Sequence, residues 1–330
     1  MSFSTDPFPS YKLIADELLS RGYTLTTDGE GRRLTATYTS PQGNQWTTKV
    51  PRIRYPFTSG DVQQLFDSKA LAYNFVSSKG VPVPFTKQLG IEDEIDIAEA
   101  EQLIEKYKPL VVKPDDSSSS KGLMLNITNT QQLQIALSNA RAVKKSNVLI
   151  QQQVDGEEIR FLVAEGEVVA ALLRQTPRVI GDGLHSVKEL LAIENEQRRS
   201  LVFPYISYPQ LSSSIIDAAF FSDERILTEG ETLELSRATM IRNGCSVYEV
   251  LSEVHPSYIQ HIKELSKDLD SAFYVVDFLV KDYRTEARPD NYWFLEFNTS
   301  PALKLCYGCR DGKMFNAIPL IADLIDKSIN

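Results

Sequence analysis

Pro109-Leu110-Val111-Val112-Lys113-Pro114-Asp115-Asp116-Ser117-Ser118-Ser119-Ser120-Lys121-Gly122-Leu123 runs an apolar strand straight into a short loop of hydroxyl side chains, with a lysine at the junction. A lysine at a strand end supplies a compact positive charge. Small residues beyond it let backbone N–H groups close on an anion without obstruction. Lys113 is therefore a candidate cation for phosphate, and Ser119, Ser120, Lys121 and Gly122 are candidate contacts to the same group. A surface turn after a buried strand would read similarly, so the decision rests on what lies downstream. Because small residues make few packing contacts of their own, 117–122 is expected to be mobile until an anion orders it.

Two later runs, Tyr274-Val275-Val276-Asp277-Phe278-Leu279-Val280 and Tyr292-Trp293-Phe294-Leu295-Glu296-Phe297-Asn298-Thr299-Ser300-Pro301, are apolar and strand-like. Each is interrupted by oxygen-bearing side chains that a core strand has no packing use for. Glu296 and Asn298 are two apart and share a strand face, and a paired neighbour brings Asp277 beside them. An all-oxygen set suits a hard cation, Mg²⁺ or Mn²⁺, of the kind held jointly by protein carboxylates and nucleotide phosphates. Singly, each residue also fits a rim or capping position; together with Lys113 they point to a nucleotide and metal site.

With 330 residues, 42% apolar and 24% charged, the chain can bury a sizeable core in two or three subdomains. Its 35 Lys and Arg against 44 Asp and Glu leave a net charge of −9, whereas nucleic-acid binders carry a basic footprint, so no nucleic-acid partner is expected. No apolar run approaches the roughly 18 residues of a membrane span. Met1-Ser2-Phe3-Ser4-Thr5-Asp6 has neither the basic nor the apolar region of a secretion signal, so no membrane partner and a cytoplasmic location are expected. Cys245, Cys306 and Cys309 form no framework of pairs, as in a reducing compartment. Cys306 and Cys309 make one CxxC, but His185, His255 and His261 lack the paired spacing that would complete a zinc site.

Further segments extend the pattern: VLIQQQVDGEEIRFLV at 148–163, GEVVAALLRQTPRVIGDGLHSVKELL at 166–191, VHPSY at 254–258 and FLEFNTSPAL at 294–303. With VVKP at 111–114, they make a chain that resembles the ATP-grasp superfamily of carboxylate–amine ligases over about 60–303. It is most similar to the ATP-grasp module of bifunctional glutathione synthetases and of cyanophycin synthetase. The GDGxHS segment after an Arg-x-x-Pro is the most specific element.

The resemblance implies an α+β chain with the ATP-grasp fold, the nucleotide lying between two antiparallel β-sheets. It divides the chain into a short N-terminal α/β segment (1–60), a small lobe including the Ser-rich loop (61–151), and a C-terminal lobe with the metal and substrate sites (152–330). It further implies ATP and Mg²⁺ as cofactors and small-molecule amino acid or peptide substrates. The reaction implied is amide formation through an acyl-phosphate, with release of ADP and phosphate; a homo-oligomer is compatible with this. Glutathione synthesis proper, or a regulator that binds nucleotide without ligation, are the alternatives.

By the same resemblance Lys69, opening a helix after Asp67 and Ser68, contacts nucleotide. Gln153 and Val154 occupy the hinge positions that read adenine through the backbone, and Gln151 stands where the family carries an acidic residue, its amide oxygen still able to accept. Glu158 matches the acidic residue that accepts ribose hydroxyls. Cys306 and Cys309 fall where similar ligases carry a loop towards the substrate, which makes them pocket or loop residues.

Arg160 and Arg174 lie on neighbouring strands. A fixed planar cation suits a transferring phosphoryl group, and Arg174 is the first candidate catalytic residue; Arg160 is the second, or a structural ion-pair partner. Arg178 and the loop Gly181–Ser186 are expected to line the same cavity, with His185 either touching substrate or capping the helix over 186–198. The segment 236–245 departs from the family's Arg-x-Asn-x-Asn series. Its Arg237 and Arg242, with Arg178, are candidate substrate contacts, and the substrate is expected to differ from that of glutathione synthesis.

Apolar periodicity predicts a helix over Tyr11–Ser20, a strand pair within Tyr23–Val50, and a capped helix from Asp67 to a glycine stop at Gly80. Helices over about 97–107 and 129–142, and strands near 109–113, 122–127 and 147–152, complete the expected small lobe.

Overall fold

The computed structural model describes residues 9–29, 34–51, 53–115, 121–143 and 145–330, and counts below refer to these. The N-terminal part comprises α1 (Ser10–Ser20), β1 (Thr24–Asp28), β2 (Thr35–Thr39) and β3 (Gln45–Lys49). It is followed by α2 (Gly60–Asp67), α3 (Lys69–Ser78), β4 (Thr86–Leu89), α4 (Ile97–Tyr107), β5 (Leu110–Pro114), β6 (Met124–Ile127), α5 (Thr130–Val143) and β7 (Val148–Gln152). Next come β8 (Glu157–Ala164), β9 (Glu167–Gln175), β10 (Arg178–Ile180), α6 (Val187–Ser200), β11 (Thr232–Glu234) and β12 (Ser246–Glu249). The chain closes with α7 (Pro256–Ser266), β13 (Phe273–Val280), β14 (Tyr292–Asn298) and α8 (Ala317–Ile329).

The expected strand pair near the N-terminus is a three-stranded meander, β1-β2-β3. Alternation of buried and half-exposed positions in β2 and β3 gives it one apolar face. Tyr38, Trp46, Tyr55 and Phe57 stack in series on that face, with centroids 5.1, 6.1 and 4.8 Å apart. This face joins Leu13, Ile14 and Leu18 of α1, Ile321 and Ile325 of α8, and Leu162 and Val275 of the large sheet in one core. The N-terminal segment is thus fused to the C-terminal lobe through a common interior.

The helix expected from Asp67 to the stop at Gly80 is α3, and a separate short helix, α2, precedes it. Ser59 caps α2, which ends at Asp67, and Ser68 then caps α3 by accepting from Leu71 N–H at 3.3 Å. Gly80, at φ +78°, closes α3 as a left-handed stop that a side chain would strain. The small lobe's sheet runs β4-β7-β5-β6, all antiparallel, with α4 and α5 packed on one face.

The large lobe is built on the antiparallel sheet β12-β9-β8-β13-β14. β8 and β9 turn through Glu165 and Gly166, both at positive φ, as a two-residue hairpin requires. Phe161, Val163, Tyr274, Val276 and Phe278 point to the face covered by α7 and α3. The opposite face carries Glu158, Arg160, Arg174, Asp277 and Glu296 toward the small lobe.

Candidate active site

A cleft of about 1710 Å³ lies between the two sheets. Pockets for single small ligands run to roughly 300–1,000 Å³, so it has room for a nucleotide and substrates together.

On the small-lobe wall, Val111 of β5 pairs with Gln151 of β7, and Lys113 follows two residues on along the same face. Lys113 Nζ donates to Tyr73 Oη at 2.7 Å and to Gln151 Oε1 at 2.9 Å, and lies 5.3 Å from the Tyr73 ring centroid. Gln151 Nε2 in turn donates to Thr86 Oγ1 at 2.8 Å. The Gln151 amide oxygen, expected to face a ligand, orients Lys113 instead, and as a neutral acceptor it leaves the lysine's charge uncancelled. Lys69 lines the cleft and donates to the Asp115 carbonyl at 2.9 Å, while the Asp115 carboxylate accepts from Ala70 N–H at 3.1 Å at the start of α3.

Ser119 and Ser120 lie outside the described residues, as does most of 117–122. Lys121 is exposed and Gly122 packs back toward Pro114; the lining of the cleft resumes at Leu123. At the hinge, Gln153 N–H donates to the Pro109 carbonyl at 2.9 Å, and its side chain exchanges hydrogen bonds with Asn126 at 2.8 and 2.9 Å. Gln153 and Val154 both line the cleft.

Two cross-strand rows form the large-lobe wall: Leu172, Arg160, Asp277 and Glu296 in one, Val247, Arg174, Glu158 and Leu279 in the next. Arg160 grips Asp277 through two parallel bonds, Nε to Oδ1 at 2.8 Å and Nη2 to Oδ2 at 2.6 Å, with both side chains buried. Burial works against the Arg160 charge, but Asp277 outweighs it and holds the guanidinium above its usual range. Arg174 pairs with Glu158. Burial pushes the Glu158 carboxyl up, against the pull of Arg174. Arg174 donates to this carboxylate, which places the guanidinium on the cleft wall.

The expected oxygen trio lies together on β13 and β14. Each Asp277 oxygen accepts one bond from Arg160 and keeps a second lone pair, whereas among the described residues no hydrogen bond engages the Glu296 carboxylate. Asn298 Oδ1 accepts from Ser300 N–H at 3.0 Å and keeps a second lone pair. A bulge opposite Asp277 and Phe278 breaks the alternation of β14, so Leu295 and Glu296 both reach the cleft. Glu296 and Asn298 on one strand, with Asp277 opposite, present oxygens of the kind that fit a cation completing its shell with phosphate oxygens. No group of three or more His, Cys, Asp or Glu side chains suited to a metal occurs among the described residues.

Arg178, Arg237 and Arg242 all line the cleft. Arg178 pairs with Glu157 at 2.8 Å, Arg237 loosely with Asp155 and Glu234 at 3.5 Å each, and Arg242 has no hydrogen-bond or ion-pair partner among the described residues. The loop Gly181–Ser186, expected in the cavity, is not part of its lining. Asp182 accepts from Leu184 and His185 N–H at 2.9 and 2.8 Å and contacts His185 Nδ1 at 2.6 Å, which raises the imidazole pKa. Ser186, not His185, caps α6 through a reciprocal box with Glu189. Cys306 and Cys309 are core residues rather than pocket residues, and burial pushes the Cys306 thiol up to about 12. Tyr73 went unread in the sequence, although its place four residues after Lys69 on one helix face was a usable signal. Nothing local marked Pro51, Ile53 and Arg54, which bring the N-terminal segment to the cleft.

Residues 67–182 match the family model of the RimK-like ATP-grasp domain. The glutathione biosynthesis bifunctional protein of Streptococcus agalactiae serotype V is 25% identical over 267 residues, covering 77% of this chain and 34% of that protein. Cyanophycin synthetase of Crocosphaera subtropica is 24% identical over 252 residues, covering 74% of this chain and 29% of its own. The chain thus spans about a third of the length of these relatives. The crystal structure of a bifunctional glutathione synthetase from Pasteurella multocida superposes with a TM-score of 0.61 at 19% identity, over 96% of this chain and 44% of that one, a likeness of fold. The chain therefore has the ATP-grasp fold and carries a RimK-like ATP-grasp domain, homologous to the glutathione biosynthesis bifunctional proteins and the cyanophycin synthetases.

Proposed function

We propose that this protein is an ATP- and Mg²⁺-dependent carboxylate–amine ligase that joins amino acid or peptide substrates through an acyl-phosphate. The supporting observation is a belt of fixed charge across one two-sheet cleft: Lys113 on one wall, Arg174 with Glu158, Arg160 with Asp277, and the open Glu296 with Asn298 on the other. Phosphoryl transfer asks for such positioned charge rather than for a protein nucleophile.

In this reading a substrate carboxylate oxygen attacks the γ-phosphorus and the bond to ADP breaks. The amine nitrogen then attacks the acyl carbon, phosphate leaves with the transferred oxygen, and the amine proton is lost to it or to water. Lys69 and Lys113 neutralise phosphate oxygens, and Arg174 faces the charge that builds on the transferring group and the tetrahedral carbon. Arg160, clamped by Asp277, is a positioning residue for Glu296. Glu296 and Asn298 would hold Mg²⁺, which when bound neutralises phosphate charge and draws electrons from phosphorus. The Gln153 carbonyl and Val154 N–H take the adenine edge. Three free, buried thiols suit a reducing, cytoplasmic setting.

The test is ADP release with Mg²⁺ and pooled amino acids and dipeptides. A ligase releases ADP only when a carboxylate and an amine are both present; a nucleotide-binding regulator binds ATP without that dependence, and this result would overturn the assignment.

A further inference from the structure

The charged belt divides the apolar lining of the cleft in two. On the hinge side lie Val111, Leu123, Leu125, Val154, Leu279 and Leu295, a patch that adenine accounts for under the reading above. Along the cleft face of β8, Glu158 and Arg160 come next, and then Leu162, inside the core shared with α1 and α8. Where that core meets the cleft a second patch lines it, made by the half-buried Phe203, Tyr205, Met240 and Ile241 and the edges of the buried Ile206 and Leu305. A nucleotide lying along the hinge and the belt leaves this patch uncovered.

The second patch is rigid. Phe203 packs edge-on against Tyr208 at 5.9 Å and Tyr205 against Tyr307 at 5.3 Å. Those supporting rings are pinned in turn: Tyr208 Oη donates to the Gly308 carbonyl at 2.6 Å, and Tyr307 Oη donates to Asn316 Oδ1 at 2.9 Å. Gly308 lacks room for a side chain because Ile206 Cδ1 would lie 2.8 Å from its Cβ. Gly244, at φ +93°, has Leu211, Pro177 and Ile215 within 3.0 Å of where a Cβ would stand, which fixes the turn after Met240–Asn243. Arg242, exposed at the edge of this patch, supplies a cation that no described residue engages.

We propose that the amine-bearing substrate is an amino acid, free or at the end of a short peptide, whose aromatic or large aliphatic side chain sits on this patch while its carboxylate pairs with Arg242. The inference rests on the ligase reading and adds the substrate class. Preorganised aromatic walls favour apolar side chains and disfavour charged ones, which would lose water there without a partner.

The experiment is a carboxylate-by-amine matrix with product mass and kcat/KM read for each pair. Phenylalanine, tyrosine or leucine at the amine position should exceed aspartate, glutamate and lysine by roughly 10- to 100-fold, the effect of seating one large apolar group. Tyr205→Ala and Phe203→Ala should lower kcat/KM for the apolar substrates more than for alanine. Arg242→Gln should shrink the difference between the free amino acid and its carboxamide. Highest efficiency with an acidic or basic side chain, or an unchanged apolar-to-alanine ratio in Tyr205→Ala, overturns the inference while leaving the ligase intact. If no pair releases ADP, the ligase reading itself falls. The inference is then judged by calorimetry with a non-hydrolysable ATP analogue present: saturable binding of phenylalanine over glutamate upholds it, and equal or absent binding overturns it.

Discussion

Asp277 and Glu296 face each other across β13 and β14, yet the two carboxylates stand in different surroundings. Asp277 is 1% exposed and doubly bonded to a buried arginine, so its charge is needed where it is. Glu296 opens to the cleft. Asp277→Asn should therefore act first on stability, by about 3–5 kcal/mol, the cost of leaving a buried charge without its partner, read as a lowered melting temperature. Glu296→Gln should melt like the parent and lose turnover by orders of magnitude, since metal charge stabilisation is worth several kcal/mol of barrier. An Asp277→Asn protein with unchanged melting and abolished turnover would make Asp277 a direct metal ligand, and near-normal turnover of Glu296→Gln at limiting Mg²⁺ would remove Glu296 from the site.

At the scale of elements, the hinge between β7 and β8 depends on Gly156, whose Cβ would stand 2.9 Å from the Val280 backbone nitrogen and carbonyl oxygen. Backbone cannot yield as a flexible side chain can, so Gly156→Ala should push β8 away from β13 at the cleft mouth. We expect the KM for ATP to rise more than kcat falls, with a reduced melting temperature; parental values of both would show that the hinge tolerates the displacement. Elements of this kind were legible where one period ran uninterrupted: 97–107 and the small-lobe strands fall within two residues of expectation. Helix α2 was not, because its 8 residues are too few for an apolar period to show, whereas the Ser68 cap and the Gly80 stop that bound α3 were. The β-bulge that turns Leu295 and Glu296 to the cleft was equally hidden, since only pairing with β13 reveals the extra residue.

For the whole molecule, the oxygen-bearing interruptions in apolar strands and the lysine at the end of β5 were readable because they violate the rule that core strands bury apolar groups. Their partners were not. Arg160 meets Asp277 across 117 positions, and the N-terminal segment reaches the cleft only through a core it shares with α8. The loop 181–186, the most specific sequence element, serves as the capped entry to α6 instead of lining the cavity. No helix among the described residues is long and apolar enough to cross a membrane. The central claim is that the cleft activates a carboxylate by phosphorylation, and the most direct measurement follows oxygen. With a substrate doubly labelled with ¹⁸O in its carboxylate, one ¹⁸O should appear in the inorganic phosphate released and the other remain in the amide product. Unlabelled phosphate accompanying amide formation, or ¹⁸O found in AMP, would contradict the acyl-phosphate route.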